Sequence, residues 1–151
     1  MEILISNQQQ KHKVNLKTIR DKAQRILSAL ALIDEELSLL IVDDEEIEKL
    51  NTEYRGKAKP TNVLSFPMRD GEPPYISSLL GDVVISSETN KKEADDAGIT
   101  FDERFSQLLI HGILHLIGYD HELSVEDAVA MEEKSLELLK IIENNPELNA
   151  F

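Results

Sequence analysis

A histidine-rich segment at the end of an apolar helical pattern most constrains how this chain folds. His111 and His115 lie four residues apart, and Gly118 separates them from His121. A four-residue spacing places two side chains on one face of a helix, one turn apart. A glycine at position 118 can end that helix in a left-handed conformation and turn the chain back. The segment therefore predicts three imidazoles that converge on one point.

Three neutral imidazoles with a fourth position open form the ligand set of a catalytic zinc site. A helical histidine pair by itself is often only a surface or core feature, so the third histidine after the glycine is what favours a metal. We predict that His111, His115 and His121 bind one Zn2+ ion per chain. Imidazole also suits other divalent ions, such as Ni2+. The chain has no cysteine, which excludes thiolate ligands and disulfides.

The helix that carries the pair is predicted over residues 101–117, after a capping box formed by Thr100 and Glu103. At helical periodicity, Arg104 and Gln107 share the face of the histidines, and the leucines and isoleucines lie opposite. The helix is expected to pack its apolar back on the core. Its more polar face then presents both imidazoles to water and substrate.

Hydrophobic periodicity and turn residues divide the remaining chain into strands and helices. Strands are predicted at 1–6, 36–43, 63–66 and 80–86, a surface loop at 69–78, and helices at 15–32, 43–54, 87–97 and from 124 onward. With the histidine helix, this order predicts an α/β (α+β) fold with a small mixed four-stranded sheet and about five helices. A length of 151 residues predicts a single domain over residues 1–151.

Charge and hydropathy limit the classes of function. No apolar stretch approaches the roughly 20 residues of a membrane span, and the start lacks the apolar run of a signal peptide, so we expect a cytoplasmic protein without membrane contact. The net charge of −13 argues against a general nucleic-acid binder. The stretch from residue 54 to 69 has no acidic residue, however, and contains Arg55, Lys57, Lys59 and Arg69. A local basic surface on an acidic body is therefore expected.

The spacing His-x3-His-x5-His, with glycine before the last histidine, is that of the extended zinc motif of metzincin metalloproteases. Those enzymes carry a glutamate directly after the first histidine as the general base, and here Gly112 stands in its place. A peptidase without that base is chemically incomplete. A metallopeptidase therefore stays only as an alternative.

The whole pattern resembles the YbeY family of bacterial metallo-endoribonucleases. Three blocks carry the resemblance in the same order: Leu50-Asn51 with the segment from Tyr54 to Pro67, then 80–85, then 111–121. The resemblance implies one α/β domain whose zinc-type metal is held by His111, His115 and His121, and it assigns the family's important arginine to Arg55. It also implies cleavage of single-stranded RNA.

The same resemblance implies a role in ribosomal RNA processing, including maturation of the 3′ end of 16S rRNA, and in ribosome quality control. The implied partners are ribosomal RNA, the small ribosomal subunit with its proteins, and an assembly GTPase. A non-catalytic ribosome assembly factor with a structural metal is the further alternative.

Several residues near the motif have two interpretations. Arg55 is expected to hold a phosphate rather than a surface ion pair, and Lys57 and Lys59 are expected to position the RNA backbone. Asp120 and Glu122 are candidates either for proton transfer or for orienting ligands and capping the last helix. Asp82 is either a partner of a metal-bound histidine or a turn residue at a strand end, and Ser65 is expected to be structural.

Overall fold

The computed structural model of the chain describes residues 2–68, 79–120, 122 and 124–148. Within these residues it contains four strands and five helices in the predicted order. The elements are β1 (Glu2–Asn7), α1 (Leu16–Ala29), β2 (Glu36–Val42), α2 (Asp44–Arg55), β3 (Val63–Pro67), β4 (Leu79–Ser86), α3 (Ser87–Ala97), α4 (Phe101–Leu116) and α5 (Val125–Ile142). The predicted fold class is confirmed, and the predicted loop at 69–78 lies outside the described residues.

The four strands form one mixed sheet with the order β1-β2-β4-β3. β1, β2 and β4 are parallel, whereas β3 pairs antiparallel with β4. Among the described strands, β3 pairs with β4 alone and therefore forms one edge of the sheet.

Alternating side chains on the strands divide the core into two layers. On one face, strand residues such as Leu39 and Val83 pack with α1, α4 and α5 in the main cluster. On the other face, Leu64 and Val84 pack with Ile47 of α2 in a smaller cluster. The sheet is therefore covered on both faces, with α4 and α2 on opposite sides.

The helix ends follow the chemistry that the sequence predicts. The side chains of Asn15, Asp43, Thr100 and Ser124 each accept a hydrogen bond from a backbone N–H in the first turn of their helices. α1 ends at Ala29, three residues before the predicted end at 32. Within the described part of the chain, no helix combines the length and apolar character needed to cross a bilayer.

The side chains buried by α5 are not all those that its helical periodicity predicts. Val125 and Val129 are 82% and 47% exposed, whereas Met131, Leu138 and Leu139 are buried. Helical periodicity predicts that both valines belong to the apolar stripe of α5; this prediction is wrong, because the buried side chains of α5 begin at Met131.

Candidate active site

Helix α4 brings the two described histidines of the motif together. The Nε2 atoms of His111 and His115 are 3.0 Å apart, and their ring centroids are separated by 4.5 Å. Both imidazoles are partly exposed, whereas the intervening Ile113 and Leu114 are fully buried. The helix therefore presents the pair at the surface and packs its apolar back on the core, as predicted.

The spacing of the two nitrogens fits a shared metal ion. In a tetrahedral site with Zn–N distances of about 2.1 Å, neighbouring ligand nitrogens lie about 3.4 Å apart. Two nitrogens at 3.0 Å need only a small rotation of the rings to reach that separation. His121 lies outside the described residues, and among those described no group of three His, Cys, Asp or Glu side chains could hold a metal. The third ligand stays a prediction.

Gly118 forms the turn that the sequence predicts after the helix. Its φ is +101°, and the N–H groups of Gly118 and Tyr119 donate to the carbonyls of His115 and Leu114 at 3.2 and 3.1 Å. These bonds satisfy carbonyls at the helix end that have no partner within the helix. The chain thus turns directly after the histidine pair.

The histidines lie in a cleft of about 380 Å³ between α4, the edge strand β3 and the end of α2. Its lining combines the histidine pair with a cation, two carboxylates and the edge of the sheet. The lining residues are Arg55, Thr61, Asn62, Val63, Ser65, Pro67, His111, His115, Asp120 and Glu122.

Arg55 reaches the cleft because it is the last residue of α2. Gly56 follows it in the left-handed conformation, with φ +68°, and ends the helix at this point. The Arg55 side chain is exposed, and among the described residues it forms no ion pair. The guanidinium therefore remains available to an anionic ligand, and the surface ion pair that was the alternative is not seen.

Two hydrogen bonds to Asn51 of α2 hold the basic loop that follows Arg55. The buried Asn51 side chain donates to the carbonyl of Lys59 at 2.9 Å, and the N–H of Lys57 donates to the carbonyl of Asn51 at 3.3 Å. The Lys57 and Lys59 side chains are exposed and do not line the cleft. Arg69 lies outside the described residues.

The two carboxylates of the cleft differ in their surroundings. Asp120 is partly buried, and its Oδ1 accepts a hydrogen bond from the N–H of Glu122 at 2.8 Å. Glu122 is exposed. Asp120 therefore uses one carboxylate oxygen in a local contact with the main chain, and its other oxygen remains for a ligand or a proton.

Gly112 packs against the sheet rather than facing the cleft. A Cβ atom at this position would lie 2.6 Å from Cγ1 of Val83 and 3.2 Å from Cγ2 of Val63. The Ser65 hydroxyl also donates to the Gly112 carbonyl at 2.9 Å. A glutamate at position 112 would enter the core between α4 and the sheet, so this fold has no place for the metzincin base. Ser65 has the structural contact that was expected of it.

Asp82 lies in the middle of β4, on the sheet face opposite α4. It lines a second groove on the α2 side with Tyr54 and Phe66, whereas its neighbour Val83 packs under Gly112. The sheet therefore separates Asp82 from His111 and His115. Asp82 is therefore not a partner of these two histidines, and because it lies in the middle of β4 it is not a turn residue at a strand end.

A polar network that the sequence did not single out holds one wall of the cleft. Glu93 Oε1 accepts from Asn62 Nδ2 at 3.1 Å and from Arg104 Nε and Nη2 at 3.2 and 3.0 Å. Arg104 Nη1 also donates to Gln107 Oε1 at 2.6 Å. The helical face that Arg104 and Gln107 share with the histidines predicted their proximity, but no local signal connected Glu93 to Asn62.

The fold and the cleft define a small α/β protein with a histidine pair and an arginine at the edge of a mixed sheet. The family model described as Endoribonuclease YbeY matches residues 4–143. The chain is similar to Endoribonuclease YbeY of Geobacter metallireducens, with 46% identity over 145 residues, which cover 95% of this chain and 97% of the relative. It is also similar to that of Syntrophotalea carbinolica, with 47% identity over 138 residues, covering 90% and 92%.

Among solved structures, the solution structure of TM1509 from Thermotoga maritima matches with a TM-score of 0.68 and 28% sequence identity. The match covers 95% of this chain and 93% of that protein. The chain belongs to the Endoribonuclease YbeY family.

Proposed function

We propose that this protein is a metal-dependent endoribonuclease that cleaves single-stranded RNA and acts in ribosomal RNA processing. The observation that carries the proposal is the cleft, where the Nε2 atoms of His111 and His115 lie 3.0 Å apart and Arg55 lines the same cleft. The chain also belongs to the Endoribonuclease YbeY family. The relatives carry the name endoribonuclease, which favours RNA over a peptide substrate and catalysis over a purely structural role.

His111 and His115 would hold one divalent ion, with His121 as the proposed third ligand. Zn2+ suits three imidazoles, and Ni2+ suits them as well. When bound, such an ion would polarise a phosphodiester oxygen and lower the pKa of a bound water. The chain's own residues then have to position the phosphate and accept a proton.

Arg55 is the proposed catalytic residue. Its guanidinium can bind two phosphate oxygens at once and stabilise the charge that develops on them during cleavage. Because the arginine is exposed and has no ion pair among the described residues, no bond within the protein has to break before it binds the phosphate. Among the described residues that line the cleft, the carboxylates are Asp120 and Glu122, and Asp120 is the proposed proton acceptor.

With ribosomal RNA as the proposed substrate, the proposed location is the cytoplasm. The proposed partners are the small ribosomal subunit, its proteins and an assembly GTPase. The domain is proposed to span residues 1–151. Because the net charge is −13, affinity for ribosomal RNA would come from the local cluster of Arg55, Lys57 and Lys59 and from docking on a ribosomal protein.

Matched variants test the metal and arginine assignments with purified protein and ribosomal RNA. His115→Ala should lose stoichiometric metal and cleavage, whereas His12→Ala, which changes a histidine outside the cleft, should keep both. Arg55→Glu should keep the metal and lose cleavage by at least ~100-fold, whereas Arg20→Glu on the exposed side of α1 makes the same charge change and should stay active.

Stoichiometric metal on the His115→Ala protein would contradict the metal site. Equal cleavage by the wild-type and His115→Ala proteins would indicate a contaminating nuclease and leave the non-catalytic assembly factor as the better account. Cleavage of unfolded protein by the zinc form would instead support the peptidase.

A further inference from the structure

Among the described residues, the cleft contains an open sheet edge beside the histidines. β3 is the outer strand of the sheet, and its residues Val63, Ser65 and Pro67 line the cleft. At such an edge, every second residue directs its N–H and C=O away from the neighbouring strand. The cleft wall therefore carries main-chain donors and acceptors as well as side chains.

The register shows which residues these are. The N–H of Ser86 donates to the carbonyl of Asn62 at 3.0 Å, and the N–H of Met68 donates to the carbonyl of Leu80 at 3.1 Å. The even-numbered residues of β3 thus bond to β4, so the N–H and C=O groups of Val63 and Ser65 point to the open edge. Within the described part of the chain, these outward groups have no hydrogen-bond partner. Pro67 also faces the open edge, but as a proline it has no N–H to donate.

We propose that the open edge of β3 binds the Watson–Crick edges of unpaired bases next to the cleavage site, an inference that rests on the proposed function. A phosphate offers only acceptors, so it would leave the edge carbonyls unpaired and facing negative charge. A base edge offers both donors and acceptors, which matches an alternation of N–H and C=O groups.

This arrangement gives a physical reason for single-strand preference. In a duplex the Watson–Crick edge of each base is already bonded to its partner, so it cannot reach β3. Only an unpaired strand can place a base on the edge and a phosphate near Arg55 at the same time. The network from Glu93 to Asn62 holds the start of the strand in place for this contact.

Binding is measured with uncleaved RNA in the His115→Ala background, using oligouridine and oligo(N3-methyluridine) of equal length. The N3-methyl group blocks the Watson–Crick edge and leaves the phosphates unchanged. We expect oligouridine to bind about 3- to 10-fold more tightly, the difference made by one or two neutral hydrogen bonds. Equal affinities for the two strands would overturn the inference without any change in β3.

A matched pair of variants at position 65 assigns the contact to the main chain. Ser65→Ala and Ser65→Pro both lose the hydroxyl that binds the Gly112 carbonyl, and only the second also loses the outward N–H. Relative to Ser65→Ala, Ser65→Pro should bind oligouridine about 3- to 10-fold more weakly and oligo(N3-methyluridine) equally. Thermal unfolding checks that both variants fold.

An equal loss on both strands would overturn the base contact, because a general distortion of the cleft affects both. Binding of an extended peptide that depends on the Ser65 N–H, without any such effect on oligouridine, would overturn it in favour of a protein partner. Whether the wild-type protein cleaves RNA tests the proposed function independently of this inference. If the protein cleaves RNA but binds oligouridine and oligo(N3-methyluridine) equally, the proposed function stands and only the base contact is overturned.

Discussion

Gly112 shows how one residue decides between two kinds of hydrolase. The sequence shows only that a glycine replaces the metzincin base. The contacts of this position with Val83 and Val63 give the reason, because no side chain fits between α4 and the sheet. The base was excluded by the packing of two distant strands, which no local pattern at position 112 reveals.

Gly112→Ala should therefore destabilise the protein although alanine is the better helix former. The added methyl group meets Val83 Cγ1 at 2.6 Å, so we expect the free energy of unfolding to fall by about 1–2 kcal/mol. In a Val83→Ala background the contact at 2.6 Å is removed and only that with Val63 Cγ2 at 3.2 Å remains, so the same change should destabilise the protein less. Urea unfolding measures both, and a stabilised Gly112→Ala single variant would contradict the packing.

The pairing of His111 with His115 is the residue-scale feature that the sequence predicts best. Helical periodicity alone places both imidazoles on the polar face, and Gly118 turns the chain as expected. Arg55 is different, because only the resemblance to a family connected it to the histidines. Its place in the cleft depends on the non-local pairing of β3 with β4, which brings the end of α2 toward α4.

At the scale of elements, caps and apolar periodicity predict which segments are helices and strands. The order of the strands in the sheet then determines which of them lines the cleft. β3 becomes an edge strand because it pairs with β4 alone. That edge forms a wall of the cleft, and the same sheet places Asp82 on the opposite face from the histidines. Neither result can be read from the periodicity of β3 or β4.

The loop between α2 and β3 is expected to depend on one buried amide. In Asn51→Asp, a carboxylate would face the Lys59 carbonyl in place of the donating Nδ2. We expect the free energy of unfolding to fall by about 1–3 kcal/mol and the KM for RNA to rise, because the loop that carries Lys57 and Lys59 loses its anchor. Urea unfolding and steady-state cleavage measure the two effects.

Asn7→Asp is the matched control for this prediction. The Asn7 side chain is exposed and uses only its oxygen, which accepts from Gln9 Nε2 at 3.0 Å, so the same charge change should shift stability by less than about 0.5 kcal/mol. Equal destabilisation by the two variants would mean that added negative charge, rather than the lost anchor, is responsible.

At the scale of the whole molecule, an acidic protein has to bind an acidic polymer. The net charge is −13, and the proposed RNA-binding cluster consists of Arg55, Lys57 and Lys59. Neutralising about three phosphates of a single strand gives a slope of about −2 for log K against log salt concentration. Fluorescence anisotropy from low to moderate salt measures this slope, and one steeper than about −4 would indicate a larger basic surface than this cluster.

One metal ion at the histidine pair is expected to make the cleft an endoribonuclease. The most direct measurement is a zinc titration of chelator-treated protein, with the cleavage rate of a single-stranded RNA followed at each equivalent. We expect no cleavage without metal, a linear rise in the cleavage rate with added zinc, and saturation at one equivalent per chain. Cleavage that persists in the metal-free protein, or that is unchanged by zinc, would contradict it.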